Sequence, residues 1–152
     1  MKQLLWILAP TLLLALGCNK NDGPDQRVVD EELIEKYLDE NQLTAERHSS
    51  GLYYIIEEPG TGGNPNVNSE VLVKYKGYLL DGTVFDQTPG SESTTFFLFQ
   101  VIQGWQIGIP LLKKGGKGTF FIPSGLAYGP RPQVGIPANS VLIFETELVD
   151  FQ

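Results

Sequence analysis

The stretch Val71-Leu72-Val73-Lys74-Tyr75-Lys76-Gly77 restricts this chain most, because strict alternation is satisfied by an extended strand with one face buried. A period of two puts Val71, Val73 and Tyr75 on one side and Lys74 and Lys76 on the other. Tyr75 therefore points inward. Asp81-Gly82 is a hairpin turn signal, and the chain returns through Thr83-Val84-Phe85-Asp86. Asp86 thus ends an apolar strand opposite an inward tyrosine. It can accept that tyrosine's hydroxyl or simply cap a turn, and both roles stay open.

The same texture of short strands and turns runs from Gly51 to the end. Leu52 to Glu57 reads as a strand stopped by Glu58-Pro59-Gly60-Thr61-Gly62-Gly63, and Asn64 to Asn68 reads as loop. Gln87 to Thr95 is a polar connection, and the apolar run Phe96 to Phe99 predicts a strand. Val101-Ile102-Gln103-Gly104-Trp105 then leads into Ile107, Ile109, Leu111 and Leu112, which predict one short helix ended by Gly115-Gly116. Pro110 falls early enough in it to be tolerated. Trp105 at the helix start either packs a core or floors a concavity for a rigid, uncharged ligand group.

Lys117 to Ile122 predicts another strand, with Phe120 and Ile122 sharing a face. Pro123 to Asn139 is a long loop rich in Gly and Pro, carrying Leu126-Ala127-Tyr128-Gly129 and Gly135-Ile136-Pro137; loops of this length are functional or disordered. In Ser140 to Phe151, Leu142, Phe144 and Leu148 share a face opposite Val141, Ile143, Glu145 and Glu147. No internal repeat is present.

The front of the chain is different. Met1-Lys2-Gln3, the apolar run Leu4 to Leu16 and Gly17-Cys18 have the three parts of a bacterial export signal, with a run too short to span a bilayer. A cysteine directly after Gly17 resembles the lipoprotein signal, in which that cysteine is acylated; Ala15-Leu16-Gly17 departs from the usual Leu-Ala-Gly order. The other reading is a plain secretory signal with an incidental cysteine. The expected organisation is a signal over 1–17, a polar tether over 18–27, a helix and linker over 28–48 and a strand-rich domain over 49–152. In the helix, Val28, Val29, Leu33, Ile34, Tyr37 and Leu38 recur at helical spacing, with Asp30 placed to cap and Glu31 and Glu32 in the first turn. Its apolar stripe folds back on the domain or meets a partner. His48 has no nucleophile or ligand cluster beside it in sequence and reads as solvated.

Charge and composition exclude several chemistries. The chain has 152 residues, is 41% hydrophobic and carries a net charge of -7, which argues against nucleic acid. Its nearest basic cluster, Lys113, Lys114 and Lys117, reads as favourable charge at a helix end. One cysteine and one histidine argue against a metal centre and rule out an intrachain disulfide.

Five stretches fall in one order between Leu52 and Phe151: VKYKG, DGTVFD, VIQGW, LAYG and IPANSVLIFETEL. Together they resemble the FKBP-type peptidyl-prolyl cis-trans isomerases. The resemblance implies an α+β fold, an antiparallel sheet wrapped around a short helix, preceded here by the amphipathic helix. It also implies a pocket between helix and sheet, with Tyr75, Asp86 and Tyr128 as catalytic residues and Phe85, Val101, Ile102, Trp105, Ile136 and Phe144 as the substrate-binding set. No metal or cofactor is implied. The implied partners are proline-containing segments of exported proteins, with the membrane reached through lipid on Cys18. Two departures stand out. Gln87 to Gln100 lacks the arginine that often supports the tyrosine and aspartate, and a pocket phenylalanine aligns with Thr94 or Thr95.

These residues suit rotation about an X-Pro bond, which breaks no covalent bond and so needs no nucleophile. Asp86 would orient Tyr75 or face the twisted carbonyl. A second reading is a proline-binding or holdase module with little turnover, which uses the same aromatics. A third, a glycan-binding lipoprotein, predicts exposed aromatics, whereas here they alternate inward.

Overall fold

A computed structural model describes residues 23–152; the signal segment and Cys18 lie outside the described residues. The first element, α1 (Gln26–Glu40), starts before the expected Val28, because Asp25 caps it and accepts the Arg27 N–H at 3.0 Å. Asp30, the expected cap, is buried inside the helix, so Glu31 and Glu32 fall in the second turn. Gln26 and Arg27 are tolerated helix formers that extend it back beyond its apolar stripe.

Seven strands follow: β1 (Glu46–Arg47), β2 (Tyr53–Glu58), β3 (Glu70–Leu79), β4 (Val84–Gln87), β5 (Thr94–Phe97), β6 (Gly116–Ile122) and β7 (Leu142–Phe151). They form one antiparallel sheet in the order β1-β2-β6-β7-β3-β4, with β5 also paired to β3. The short helix α2 (Gln103–Gly108) crosses its inner face.

Three local expectations shift. The strand expected over Phe96 to Phe99 is β5, which ends at Phe97, and Leu98–Gln100 turns as a 3-10 helix that carries the chain toward α2. The helix expected to run to Gly115-Gly116 ends at Gly108 and continues as a 3-10 turn over Ile109–Leu111, where Pro110 lacks the N–H a longer α-helix would use. Gly115 makes the turn at φ 76° and Gly116 opens β6. The polar link before β2 contains β1, and its His48 is half-buried rather than fully solvated, with Nδ1 2.9 Å from the Ser50 hydroxyl.

Two glycines set how close α2 lies to the sheet. A Cβ at Gly104 would stand 2.7 Å from Ile122 Cδ1, and one at Gly108 would stand 2.8 Å from the Phe120 ring. Their spacing of one helical turn puts both on the face toward β6, so the helix backbone rests directly on those side chains. Trp105, next to Gly104, is thereby driven into the inner core with Val71, Val73, Phe120, Phe144 and Leu148.

The sheet has a second apolar face. On β6, Phe121 points opposite to Phe120 and Ile122, and with Tyr53, Val141 and Ile143 it packs against Ile34 and Leu38 of α1. The amphipathic helix therefore folds back on the domain. Ile34 is fully buried and Leu33, one position before it, is 39% exposed. Ile34→Ala should lower unfolding free energy by about 2 to 5 kcal/mol in urea titrations, whereas Leu33→Ala should change it by less than about 0.5 kcal/mol. Equal effects would place the helix off the sheet.

Candidate functional site

The site grows from β3. Tyr75 is directed inward by alternation, and its backbone is tied to the far end of the hairpin: Tyr75 N donates to Thr88 Oγ1 at 3.2 Å and Thr88 N donates to the Tyr75 carbonyl at 3.0 Å. A bulge between Gly77 and Tyr78 shifts the register so that Gly77 faces Asp86. Gly77 must be small there, since a Cβ would lie 2.7 Å from the rings of both Phe85 and Phe144. The outcome is a direct hydrogen bond from the Tyr75 hydroxyl to Asp86 Oδ2, at 2.6 Å. Among the described residues Asp86 makes no salt bridge. Burial, then this hydrogen bond, raises the Tyr75 phenol well above the usual tyrosine range.

The Trp105 indole is ringed edge-on. Its centroid lies 5.2 Å from Tyr75 at 85°, 5.6 Å from Phe96 at 89° and 5.3 Å from Phe144 at 79°. Such T-shaped packing suits the ring quadrupoles. Around the indole is a cavity of about 560 Å³, within the range of small-ligand sites. Its lining includes Tyr75, Asp86, Val101, Ile102, Trp105, Tyr128 and Phe144 of the expected set. Gln106 Nε2 donates to the Val101 carbonyl at 2.8 Å and so holds the Val101-Ile102 corner against the first turn of α2. Tyr128, 38% exposed, reaches the cavity from the long loop.

Phe85 and Ile136 pack next to the site's aromatic residues and inner core. The Phe85 ring packs edge-on against Phe144 at 5.5 Å, and Ile136 is buried in the inner core. Neither is among the cavity's lining residues. Sequence reasoning missed Phe96, Phe97, Gln100 and Glu70, which do line it, and of the two threonines it includes Thr95. Phe96 was recoverable: it pairs with Val71, and residues directly opposite in an antiparallel pair share a face. A recess of the same size, about 560 Å³, lies elsewhere on the sheet, but it is lined by Lys74, Lys76, Lys117, Glu145 and Glu147 and is open and charged.

The fold, a helix seated on an antiparallel sheet, is shared with known proteins. The family model described as FKBP-type peptidyl-prolyl cis-trans isomerase matches residues 62–149. The chain belongs to that family of isomerases. Over 101 residues it is 48% identical to the FKBP-type peptidyl-prolyl cis-trans isomerase FkpA of Aeromonas hydrophila, covering 66% of this chain and 38% of that protein. The crystal structure of FkpA from Escherichia coli superposes with a TM-score of 0.74 at 40% identity, covering 84% of this chain and 60% of that one. A peptidyl-prolyl cis-trans isomerase from Pseudomonas syringae pv. tomato superposes with a TM-score of 0.71 at 29% identity, covering 86% of this chain and 98% of that one. The chain thus spans well under half the length of the Aeromonas relative.

Four of the six tyrosines, Tyr53, Tyr54, Tyr75 and Tyr78, have pKa values raised by burial or carboxylate partners. In a tyrosinate absorbance titration they should ionise above the ordinary value of about 10. Because the folded state holds these protons more tightly, their stabilisation is complete below about pH 10 and is lost as pH rises through the folded values. Asp86→Asn should move the Tyr75 step down only part way, since burial is the larger cause. A return to the ordinary value would make the carboxylate the main cause.

Proposed function

We propose that this chain catalyses cis-trans isomerisation of X-Pro bonds by taking the proline into the Trp105 cavity. The observation that supports this most is the indole set in a ring of aromatic edges beside an open cavity. The pyrrolidine ring stacks on that floor, with Tyr75, Val101, Ile102, Phe96 and Phe144 as walls and Phe85 and Ile136 next to them. The Tyr128 hydroxyl donates to the carbonyl of the residue before proline. Asp86 holds Tyr75 in place through its hydrogen bond and lines the mouth of the cavity.

The chemistry needs little more. Rotation crosses a barrier of about 18 to 20 kcal/mol set by amide resonance. Twisting abolishes that resonance and its charge separation, so the transition state is less polar than the planar amide. Stripping water from an amide without replacing its hydrogen bonds costs roughly 2 to 7 kcal/mol. Relief of part of that cost on twisting, together with one hydrogen bond, is comparable to the roughly 4 kcal/mol of a thousandfold acceleration.

The substrates in this reading are proline-bearing segments of exported proteins, which fold where slow proline steps of about 10 to 100 s can limit them. The protein itself is exported and held to a bacterial envelope membrane by lipid on Cys18, on the strength of the signal pattern over 1–17.

A proline-isomerisation assay on a short peptide series tests the activity. Wild type should accelerate the reaction, with a rate nearly flat from about pH 6 to 8 and insensitive to chelators. Trp105→Ala should act chiefly through weaker binding. Tyr128→Phe should cost about 0.5 to 1.5 kcal/mol, the net worth of one neutral hydrogen bond. Binding of the peptides without acceleration would replace the isomerase reading by a proline-binding holdase, and a full titration step near pH 6.5 would replace desolvation by acid-base chemistry. Mass spectrometry of the mature protein should find Cys18 at its N-terminus bearing more than one acyl chain, since one chain anchors only marginally. An unmodified Cys18 would remove the anchor.

A further inference from the structure

The motifs of the pocket all lie beyond Gly51, which leads one to expect that the preceding helix is dispensable to it. The structure joins them through Asp30. This residue is 1% exposed, on the face of α1 toward the sheet. Its Oδ2 accepts the Ser124 N–H at 2.8 Å and the Ser124 hydroxyl at 2.6 Å, while Oδ1 accepts the Gln26 side-chain amide at 2.7 Å. The recorded partners are all neutral donors.

Ser124 is the base of the Tyr128 loop. It is also 1% exposed, it follows β6 after Pro123, and it opens the 3-10 turn over Ser124–Leu126. Its carbonyl accepts the N–H of Ala127 at 2.9 Å and of Gly129 at 2.9 Å, the two residues on either side of Tyr128. A continuous set of hydrogen bonds therefore runs from Asp30 through Ser124 to both flanks of Tyr128. Among the described residues the Tyr128 hydroxyl has no recorded hydrogen bond, so its place over the cavity depends on that backbone.

Simple attachment does not explain a buried carboxylate here. Ile34 and Leu38 already seat α1 on the sheet, and burying a charge among neutral donors is costly compared with an apolar side chain. A carboxylate does what an apolar side chain cannot, because it fixes both the N–H and the hydroxyl of one residue in one orientation.

We propose that Asp30 is a positioning residue for the isomerase site, through which α1 fixes the loop base at Ser124 and so the height of the Tyr128 hydroxyl above the proline. This rests on the function proposed above. It adds to the site a residue outside the 62–149 family match.

A double-mutant cycle on the whole chain tests it, using Asp30→Ala, Tyr128→Phe and the double variant, with kcat, KM and amide hydrogen exchange measured for each. Asp30→Ala should lower kcat by no more than Tyr128→Phe does, about 2- to 10-fold, and should leave KM within about twofold. In the Tyr128→Phe background it should cost less than about twofold further, because the group it positions is gone. Exchange at Ala127 and Gly129 should quicken. Additive losses, or unchanged exchange at those two amides, would overturn the proposal. If Asp30→Ala does not fold, Ser124→Ala keeps the N–H bond to Asp30 and carries the same cycle with a smaller loss. A wild type without turnover would remove the isomerase reading, and the exchange at Ala127 and Gly129 would still decide whether Asp30 holds the loop.

Discussion

The seating of α2 on β6, which sets the Trp105 indole within its ring of aromatic edges from β3, β5 and β7, is the contact on which the site depends. Gly104 and Gly108 let the α2 backbone settle onto Ile122 and Phe120, and that depth delivers the indole into the core. Trp105 is 4% exposed, and its Nε1 is buried with no recorded hydrogen-bond partner, a cost that surrounding rings offset only weakly. A side chain at either glycine would lift the helix and with it the pocket floor. The indole thus belongs to the packed core while its surroundings open to a cavity.

The sheet is used twice. Alternation on β6 and β7 sends Phe120, Ile122, Leu142 and Phe144 toward α2, and Phe121 and Ile143 toward α1. Elsewhere on the sheet the contacts are ion pairs such as Lys74 with Glu147 and Lys117 with Glu58, which are substantially exposed and contribute little. The two apolar layers carry the stability, and the second layer also brings Asp30 to the base of the Tyr128 loop. The helix that covers the sheet is in this way hydrogen-bonded to the base of the Tyr128 loop.

Much of this was legible in the residues. The alternation around Tyr75 and the Asp81-Gly82 turn gave the strand pair that sets Tyr75 beside Asp86, and the amphipathic stripe gave α1 to within two residues of its start. The cap was misplaced because Asp25 and Asp30 both precede apolar periodic residues, and only the fold shows that one faces water and the other Ser124. The run Phe96 to Phe99 reads as one strand and so hides the place of Phe96 at the cavity; the turn at Leu98 depends on how the chain meets α2. The hairpin brings Asp86 opposite Tyr75 without deciding between its two roles, and the hydrogen bond from the Tyr75 hydroxyl is the one the fold makes. Phe85 against Phe144 and Ile136 in the inner core are likewise tertiary contacts.

The central claim is that proline sits on the indole between helix and sheet, and a crystal structure with an X-Pro peptide bound tests it most directly. The account predicts the pyrrolidine against the Trp105 face, between Tyr75 and Phe144, with the preceding carbonyl within about 3 Å of the Tyr128 hydroxyl. A peptide seated instead in the charged recess beside Lys74 and Glu147, with the aromatic cavity empty, would contradict it.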